Sequence, residues 1–225
     1  MREIVLDTET TGLSPADGHR LIEIGVLELM DRIPTGRELH LYIHPERDVP
    51  EAATAVHGIR LADLEGKPVF AAIADQVLAF LADDPIVAHN ADFDIGFLNA
   101  ELARAGKPTL AADRAIDTVA IARRQFPGAK ASLDALCQRF GIDLSVRAVH
   151  GAIVDARLLA QVYVELTGGR QRGLGLDTGR DVPAPTITSA PRRYRAPRPH
   201  APSPEELAAH AAFLDGMANP LWRRA

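Results

Sequence analysis

The chain has 225 residues, 47% apolar and 24% charged, enough for a normal core in one domain with an appendage or in two small domains. A net charge of −5 has the wrong sign for holding duplex DNA by phosphate contacts alone, although bound cations can supply positive charge locally and a partner can deliver the substrate. The single cysteine, Cys137, excludes an internal disulfide, and neither a membrane-length apolar run nor a signal pattern is present, so a soluble cytoplasmic chain with no membrane partner is expected.

The first predicted strand, residues 3–9, is the most informative stretch: Ile4-Val5-Leu6-Asp7-Thr8-Glu9-Thr10-Thr11-Gly12. Alternate residues of a strand share a face, so Val5, Asp7 and Glu9 point one way and Ile4, Leu6 and Thr8 the other. Two carboxylates aimed together from a buried apolar strand are costly unless a cation neutralises them, and oxygen ligands suit a hard divalent metal. Taken alone, Asp-x-Glu reads better as a strand end that has reached solvent; sites further along the chain reverse that reading.

Strands at 21–29 and 39–44 follow, the latter opened by Gly36 and closed by Pro45, and their short connections favour an antiparallel meander. His57, in Val56-His57-Gly58-Ile59, reads as a loop histidine that either touches substrate or packs locally. Phe70, Ile73, Val77, Leu78 and Leu81 have helical spacing within 68–81. A short buried strand at 85–89 leads to a helix over 91–105, and 115–118 offers a fifth strand. Helices over 118–126, 131–140 and 151–166 complete this region, the last closed by Gly168-Gly169. A meander followed by alternating strands and helices predicts an α/β fold, a mixed five-stranded sheet with helices on its faces.

Asp94 and Asp155 each stand at the head of an apolar helical stripe. Phe97, Leu98 and Leu102 follow Asp94 at i+3, i+4 and i+8, and Leu158, Leu159, Val162 and Leu166 follow Asp155 in the same way. A solvated face does not explain them, and the helix dipole accounts for one better than for both. Asp92 points away and reads as an exposed first-turn acid. His150 lies in the loop before the last helix, free to swing over a metal site, and histidine is the natural general base near neutral pH; a cap histidine is the plainer alternative.

After Gly169 the composition changes. Residues 183–204 hold seven of the sixteen prolines together with Arg192, Arg193, Arg195 and Arg198, a stiff basic linker with a reach of roughly 60–70 Å. Ser203-Pro204-Glu205-Glu206 then reads as a capping box opening a helix over 203–218, with Leu207, Ala211, Leu214 and Ala218 as a stripe and Phe213 and Met217 beside it.

Asp7-x-Glu9-Thr10-Thr11-Gly12, Asn90-Ala91-Asp92-Phe93-Asp94 and His150-x-x-x-x-Asp155 together resemble the three motifs of the DEDDh 3′–5′ exonuclease superfamily. Leu133-Asp134-Ala135-Leu136-Cys137, Thr167-Gly168-Gly169 and Leu221-Trp222-Arg223 narrow the resemblance to the epsilon, proofreading, subunits of bacterial DNA polymerase III, strongly over residues 3–169 and more loosely beyond.

The resemblance implies a ribonuclease H-like fold with a flexible C-terminal tail, and hydrolysis of 3′-terminal DNA phosphodiesters to nucleoside 5′-monophosphates with two divalent cations, Mg2+ or Mn2+. It implies Asp7, Glu9 and Asp155 as direct metal ligands, Asp94 as a fourth acting partly through water, and His150 as the base. Thr10, Gly12, His57 and Phe93 would touch the terminal nucleotide of a single-stranded or frayed 3′ end, beside Asp7, Glu9 and Asp155. The implied division is an exonuclease domain over 1–169, a linker over 170–202 and a polymerase-binding helix over 203–225. Gln171, Leu174 and Leu176 resemble a clamp-binding motif for the sliding clamp (beta), although no aromatic follows and two glycines interrupt it. Leu207, Phe213, Leu214 and Trp222 would dock on the polymerase alpha subunit, and a small theta-like subunit completes the implied partners. Two rivals stand beside this reading. One is a free-standing nuclease of RNA ends, which would need no tether; the other is a non-catalytic structural subunit, in which the acids would be eroded.

Overall fold

The computed structural model describes residues 1–145, 150–168 and 201–221. The chain divides into two units, Met1–Leu176 and Asp177–Ala225. Strand β1 (Arg2–Thr10) is apolar on both faces through Ile4-Val5-Leu6 because it is the middle strand of a five-stranded sheet. It pairs antiparallel with β2 (Leu21–Met30), which pairs antiparallel with β3 (Ile33–Tyr42). On its other side it pairs parallel with β4 (Ile86–Ala88), and β4 with β5 (Ala115–Asp117), giving the order β3-β2-β1-β4-β5.

Helices α1 (Glu51–His57), α2 (Phe70–Leu81), α3 (Ala91–Arg104), α4 (Thr118–Gln125), α5 (Leu133–Phe140) and α6 (Ala152–Leu166) surround the sheet. Ile4 and Leu6, with Ile24, Val26 and Ile86, share a core with Phe70, Val77 and Leu81 of α2 and Phe97 and Leu98 of α3. Val5, with Leu27, Leu29 and Val87, shares the opposite core with Leu136 of α5 and Leu158, Leu159 and Val162 of α6. Each such side chain contributes about 1.5–3 kcal/mol when fully buried. This is the ribonuclease H-like arrangement expected from the sequence. In the second unit, α7 (Pro204–Asp215) opens on the predicted capping box: Glu206 N–H donates to Ser203 Oγ, and Ser203 N–H to the Glu206 carboxylate. Among the described residues no helix is long and apolar enough to cross a membrane.

Two elements differ from expectation. Strand β3 begins at Ile33 and runs through Pro34 and Gly36, which the predicted strand excluded; it is an edge strand, where a missing N–H is tolerated. Helix α1 turns the expected loop position of His57 into a helix end: its seven alanine-rich residues carry no apolar stripe, and it starts after Pro50 and is closed by Gly58 in the left-handed conformation.

Register places the functional rows. Asp7 lies opposite Gly25, itself opposite His40; Glu9 lies opposite Glu23, itself opposite Tyr42. Directly opposed residues share a face, so all six stand on the side of the sheet covered by α6. A register shift follows Glu9, and Thr10 pairs with Leu21, a bulge at the end of the strand. Gly25 is where α6 lands: a Cβ there would lie 2.4 Å from both the Ala152 carbonyl carbon and the Ile153 nitrogen. Because both are backbone atoms, the helix itself would have to move. Gly25→Ala is therefore expected to lower stability by about 1–3 kcal/mol in urea denaturation, and an unchanged midpoint would show that α6 does not rest on β2.

Candidate metal centre

The site forms where the end of β1 meets the start of α6. Gly151 is the extended N-cap of that helix, and Asp155 lies in its first turn, where the helix dipole favours a carboxylate. The turn is drawn onto the sheet by Glu23, whose Oε2 accepts the Ala152 N–H at 3.1 Å. Asp155 is buried, Glu9 half-buried and His150 exposed. One ligand atom from each of Glu9, His150 and Asp155 lies within 4.8 Å of the others. His150 Nδ1 is 3.0 Å from Asp155 Oδ2, so the loop position read from the sequence does carry the ring over the acid one turn later.

Asp94 arrives from the other side of the sheet. Helix α3 starts after Asn90, which takes a left-handed conformation (φ 70°) with its N–H donated to Asp117 Oδ1 at 3.0 Å. Thr8, facing away from Glu9 on β1, donates its hydroxyl to Asp94 Oδ1 at 2.6 Å. Burial pushes the Asp94 carboxyl up to about 7, against the Thr8 hydrogen bond, which lowers it. Asp7 is half-buried beside Glu9 on the α6 face. Neither Asp7 nor Asp94 belongs to the 4.8 Å group; Asp7 shares the β1 face of Glu9, and Asp94 is bonded to Thr8 on the other face.

These residues fit a hard divalent cation. Oxygen ligands of such an ion at about 2.1 Å stand up to roughly 4.2 Å apart, close to the observed spacing. The chemistry of the set agrees, since carboxylates crowded at a buried strand end, one of them held near-neutral by burial, are relieved by a cation.

Around the centre, His57 ends α1 and is buried rather than exposed on a loop. Its Nδ1 accepts the Ile59 N–H at 3.0 Å, which leaves the ring proton on Nε2, buried beside the Thr10 backbone. Burial holds its pKa below the usual histidine value, and a charged His150 would lower it further. Thr10 is buried and donates its hydroxyl to the Gly12 carbonyl at 2.6 Å. At Gly12 a Cβ would meet the His19 ring at 2.3 Å, so that side chain would have to move. Phe93 is half-buried against Phe97, ring centroids 5.0 Å apart, and Asp92 is exposed as expected. In α7, Leu207 and Phe213 are exposed and Leu214 is buried. Gln171, Leu174, Leu176 and Trp222 lie outside the described residues. Sequence reasoning missed Glu23 and Gly25, although an acid inside Leu21-Ile22-Glu23-Ile24-Gly25-Val26 was a signal: no solvated face exists on a strand buried from both sides.

Residues 4–163 match the exonuclease family. The DNA polymerase III subunit epsilon of Rickettsia felis is 48% identical, over 96% of this chain and 97% of the relative. The subunit of the same name from Escherichia coli K12 is 42% identical, over 99% and 97%. Among solved structures, exonuclease X in complex with 5′ overhanging duplex DNA superposes with a TM-score of 0.57 at 26% identity, covering 73% of this chain and 90% of that one.

Asp94 yields a stability prediction. Its folded pKa, about 7, is raised above the ordinary 3.8, so between these values the native state holds a proton that the unfolded chain has lost. Stability of the metal-free protein therefore falls as pH rises from about 4 to about 7. In EDTA at pH 8, Asp94→Asn, which still accepts from Thr8, is expected to be more stable than wild type by roughly 1–3 kcal/mol. Thermal unfolding across the range should show the gap shrinking toward pH 4; a gap independent of pH would contradict the buried carboxyl as its source.

Proposed function

We propose the function of this site from its kinship: the chain belongs to the exonuclease family and, within it, to the DNA polymerase III epsilon subunits. It is a metal-dependent 3′–5′ exonuclease, the proofreading subunit of the replicative polymerase, and it trims mismatched nucleotides from frayed 3′ DNA ends as nucleoside 5′-monophosphates. The observation that carries this reading is the convergence of Glu9, His150 and Asp155 at the end of β1.

When bound, two divalent cations, Mg2+ or Mn2+, supply positive charge to the scissile phosphate and stabilise the attacking and leaving oxygens. Asp7, Glu9 and Asp155 would hold them directly, and Asp94 would complete the set from the α3 side, partly through water. Asp155 orients His150 by accepting from Nδ1–H. The basic nitrogen is then Nε2, which takes the proton of the attacking water. His57, the Thr10 and Gly12 backbone and the Phe93 ring form the walls around the terminal nucleotide.

The division at 1–169, 170–202 and 203–225 belongs to the same reading. Exposed Leu207 and Phe213, with Trp222, dock on the polymerase alpha subunit, whereas Leu214 is buried in the free chain and serves that contact less directly. Gln171, Leu174 and Leu176 engage the sliding clamp, a theta-like subunit is a further partner, and the tether raises the effective concentration of the exonuclease at the primer end. Such a protein works in the cytoplasm.

The test is nucleotide release from a 3′-mismatched DNA primer, with an RNA oligonucleotide in parallel, in Mg2+, Mn2+ and EDTA. Release from DNA should require metal and disappear in Asp7→Ala with Glu9→Ala. His150→Ala should lower kcat by about 10²–10⁴-fold while Mn2+ binding persists. Faster loss of RNA would move the assignment to an RNA-end nuclease. A folded protein with no metal-dependent release, even with polymerase added, would make it a structural subunit.

A further inference from the structure

We propose that Glu23 is a positioning residue for the metal centre, fixing the first turn of α6, and with it Asp155 and His150, against the end of β1. The inference rests on the reading of that centre as a divalent metal site. Glu23 is 2% exposed and stands directly opposite Glu9 across the β1–β2 pair. One carboxylate oxygen, Oε2, accepts the Ala152 N–H at 3.1 Å, and the other, Oε1, lies 2.6 Å from His40 Nε2. Tyr42, its cross-strand neighbour on β3, has a hydroxyl pushed above its usual pKa by burial and by this carboxylate.

The first N–H groups of a helix have no partner within the helix, and a side chain at the N-cap ordinarily supplies one. Helix α6 has Gly151 at that position and therefore no local cap. Its cap comes from Glu23, 129 residues away in sequence and on the strand beside Glu9. A serine at the N-cap would satisfy the N–H of the second or third helical residue instead, and would leave the helix free to slide or turn on the sheet. Glu23 instead ties the turn to the sheet itself. Gly25, two residues along, sets how closely the helix backbone approaches.

Asp155 lies three residues beyond the anchored Ala152, and its Oδ2 holds His150. A displacement of this turn therefore moves a ligand and the base together. Placing Glu23 opposite Glu9 sets two acids side by side, an arrangement that is unfavourable by itself. Two donors engaged by Glu23, and a cation held by Glu9, make it tolerable. His40 contributes by fixing the rotamer of the carboxylate from the outer strand.

The test compares Glu23→Ala, Glu23→Asp and Glu23→Gln with Tyr163→Phe in the full chain. Tyr163 donates to Glu3 Oε1 at 2.6 Å near the far end of the same helix, so its loss destabilises α6 without touching the centre. Three quantities are read: Mn2+ affinity without DNA, from the EPR signal of free Mn2+; kcat and KM on a mismatched primer; and thermal unfolding in EDTA. Glu23→Ala, and Glu23→Asp, which is one methylene too short to reach Ala152, should weaken Mn2+ binding and lower kcat by about 10–100-fold. KM for DNA should stay within about threefold, because the nucleotide walls remain. Glu23→Gln keeps a carbonyl oxygen for Ala152 and should recover most of both losses, and Tyr163→Phe should lose stability only. Should Glu23→Ala fail to fold, the Asp and Gln pair decides. Unchanged Mn2+ affinity and kcat in folded Glu23→Asp, or equal losses in Tyr163→Phe, would overturn the proposal. Wild type that neither binds Mn2+ nor releases nucleotides would instead overturn the metal-centre reading beneath it.

Discussion

The first turn of α6 lies backbone-to-backbone on β2 at Gly25, and the exonuclease unit is organised around that contact. With no side chain at 25 and small buried residues at Ala152 and Ala156, the helix comes close enough for Asp155 to reach the neighbourhood of Glu9. A larger residue at any of these positions would hold the helix off and open the site. The far end of α6 is pinned separately. Tyr163 bonds Glu3 at the start of β1, Gln125 Nε2 donates to the Leu166 carbonyl at 2.5 Å, and Arg32 donates to the Thr167 carbonyl at 2.6 Å. These last two satisfy carbonyls that a helix end leaves open. Because β1 carries both Glu3 and Glu9, helix and strand are held in register from both ends of the same pair.

Gathering acids at the end of a buried strand works against stability. Asp94 shows the cost most plainly, as burial raises its carboxyl pKa despite relief from the Thr8 hydroxyl and from the backbone of Thr8 and Asp94. Two cores, one on each face of the sheet, offset that cost. The faces also divide the labour. Thr8 and Asp94 belong to the side packed by α2 and α3, and Glu9 and Asp155 to the side packed by α6. The strand end is the one place where residues of both faces stand together, so alternation along β1, which keeps Asp7 and Glu9 apart from Thr8, is what allows a site built from two layers.

Much of this was legible from the order of residues. The face shared by Val5, Asp7 and Glu9, the acids leading the α3 and α6 stripes, and the His150 loop all follow from strand and helix periodicity, and the structure has them as read. The unread parts depend on partners far away in sequence. Glu23 caps a helix that starts 129 residues later, and nothing local to Ile22-Glu23-Ile24 distinguishes that duty from a strand acid with a salt-bridge partner, such as Glu28, which pairs with Arg2 and Arg37. Gly25 reads as a weak strand residue until the helix above it is known. His57 was open between two roles because α1, too short and too alanine-rich to show a stripe, was invisible, and with it the burial of the ring. Periodicity reports which face a residue occupies; it does not report what arrives on that face from elsewhere.

The charge of the chain is divided in a way that bears on how the site meets its substrate. Residues 1–169 carry 16 Lys and Arg against 25 Asp and Glu, a net −9, whereas residues 170–225 carry nine Arg and no Lys against five acids, a net +4. A stretch of net −9 repels a phosphate backbone at long range, and the repulsion weakens as salt screens it. Several of its basic groups are also already committed: Arg20 to Glu101 and Glu46, Arg2 to Glu28 and Asp84, Arg157 to Glu38. In a metal-dependent exonuclease a bound cation supplies positive charge close to the scissile phosphate, over the last few ångströms. The positive balance of residues 170–225 has the sign that a phosphate backbone attracts. Separating the two has a physical advantage. A catalytic segment whose net charge repels phosphate exerts no long-range pull on the paired termini it meets by diffusion.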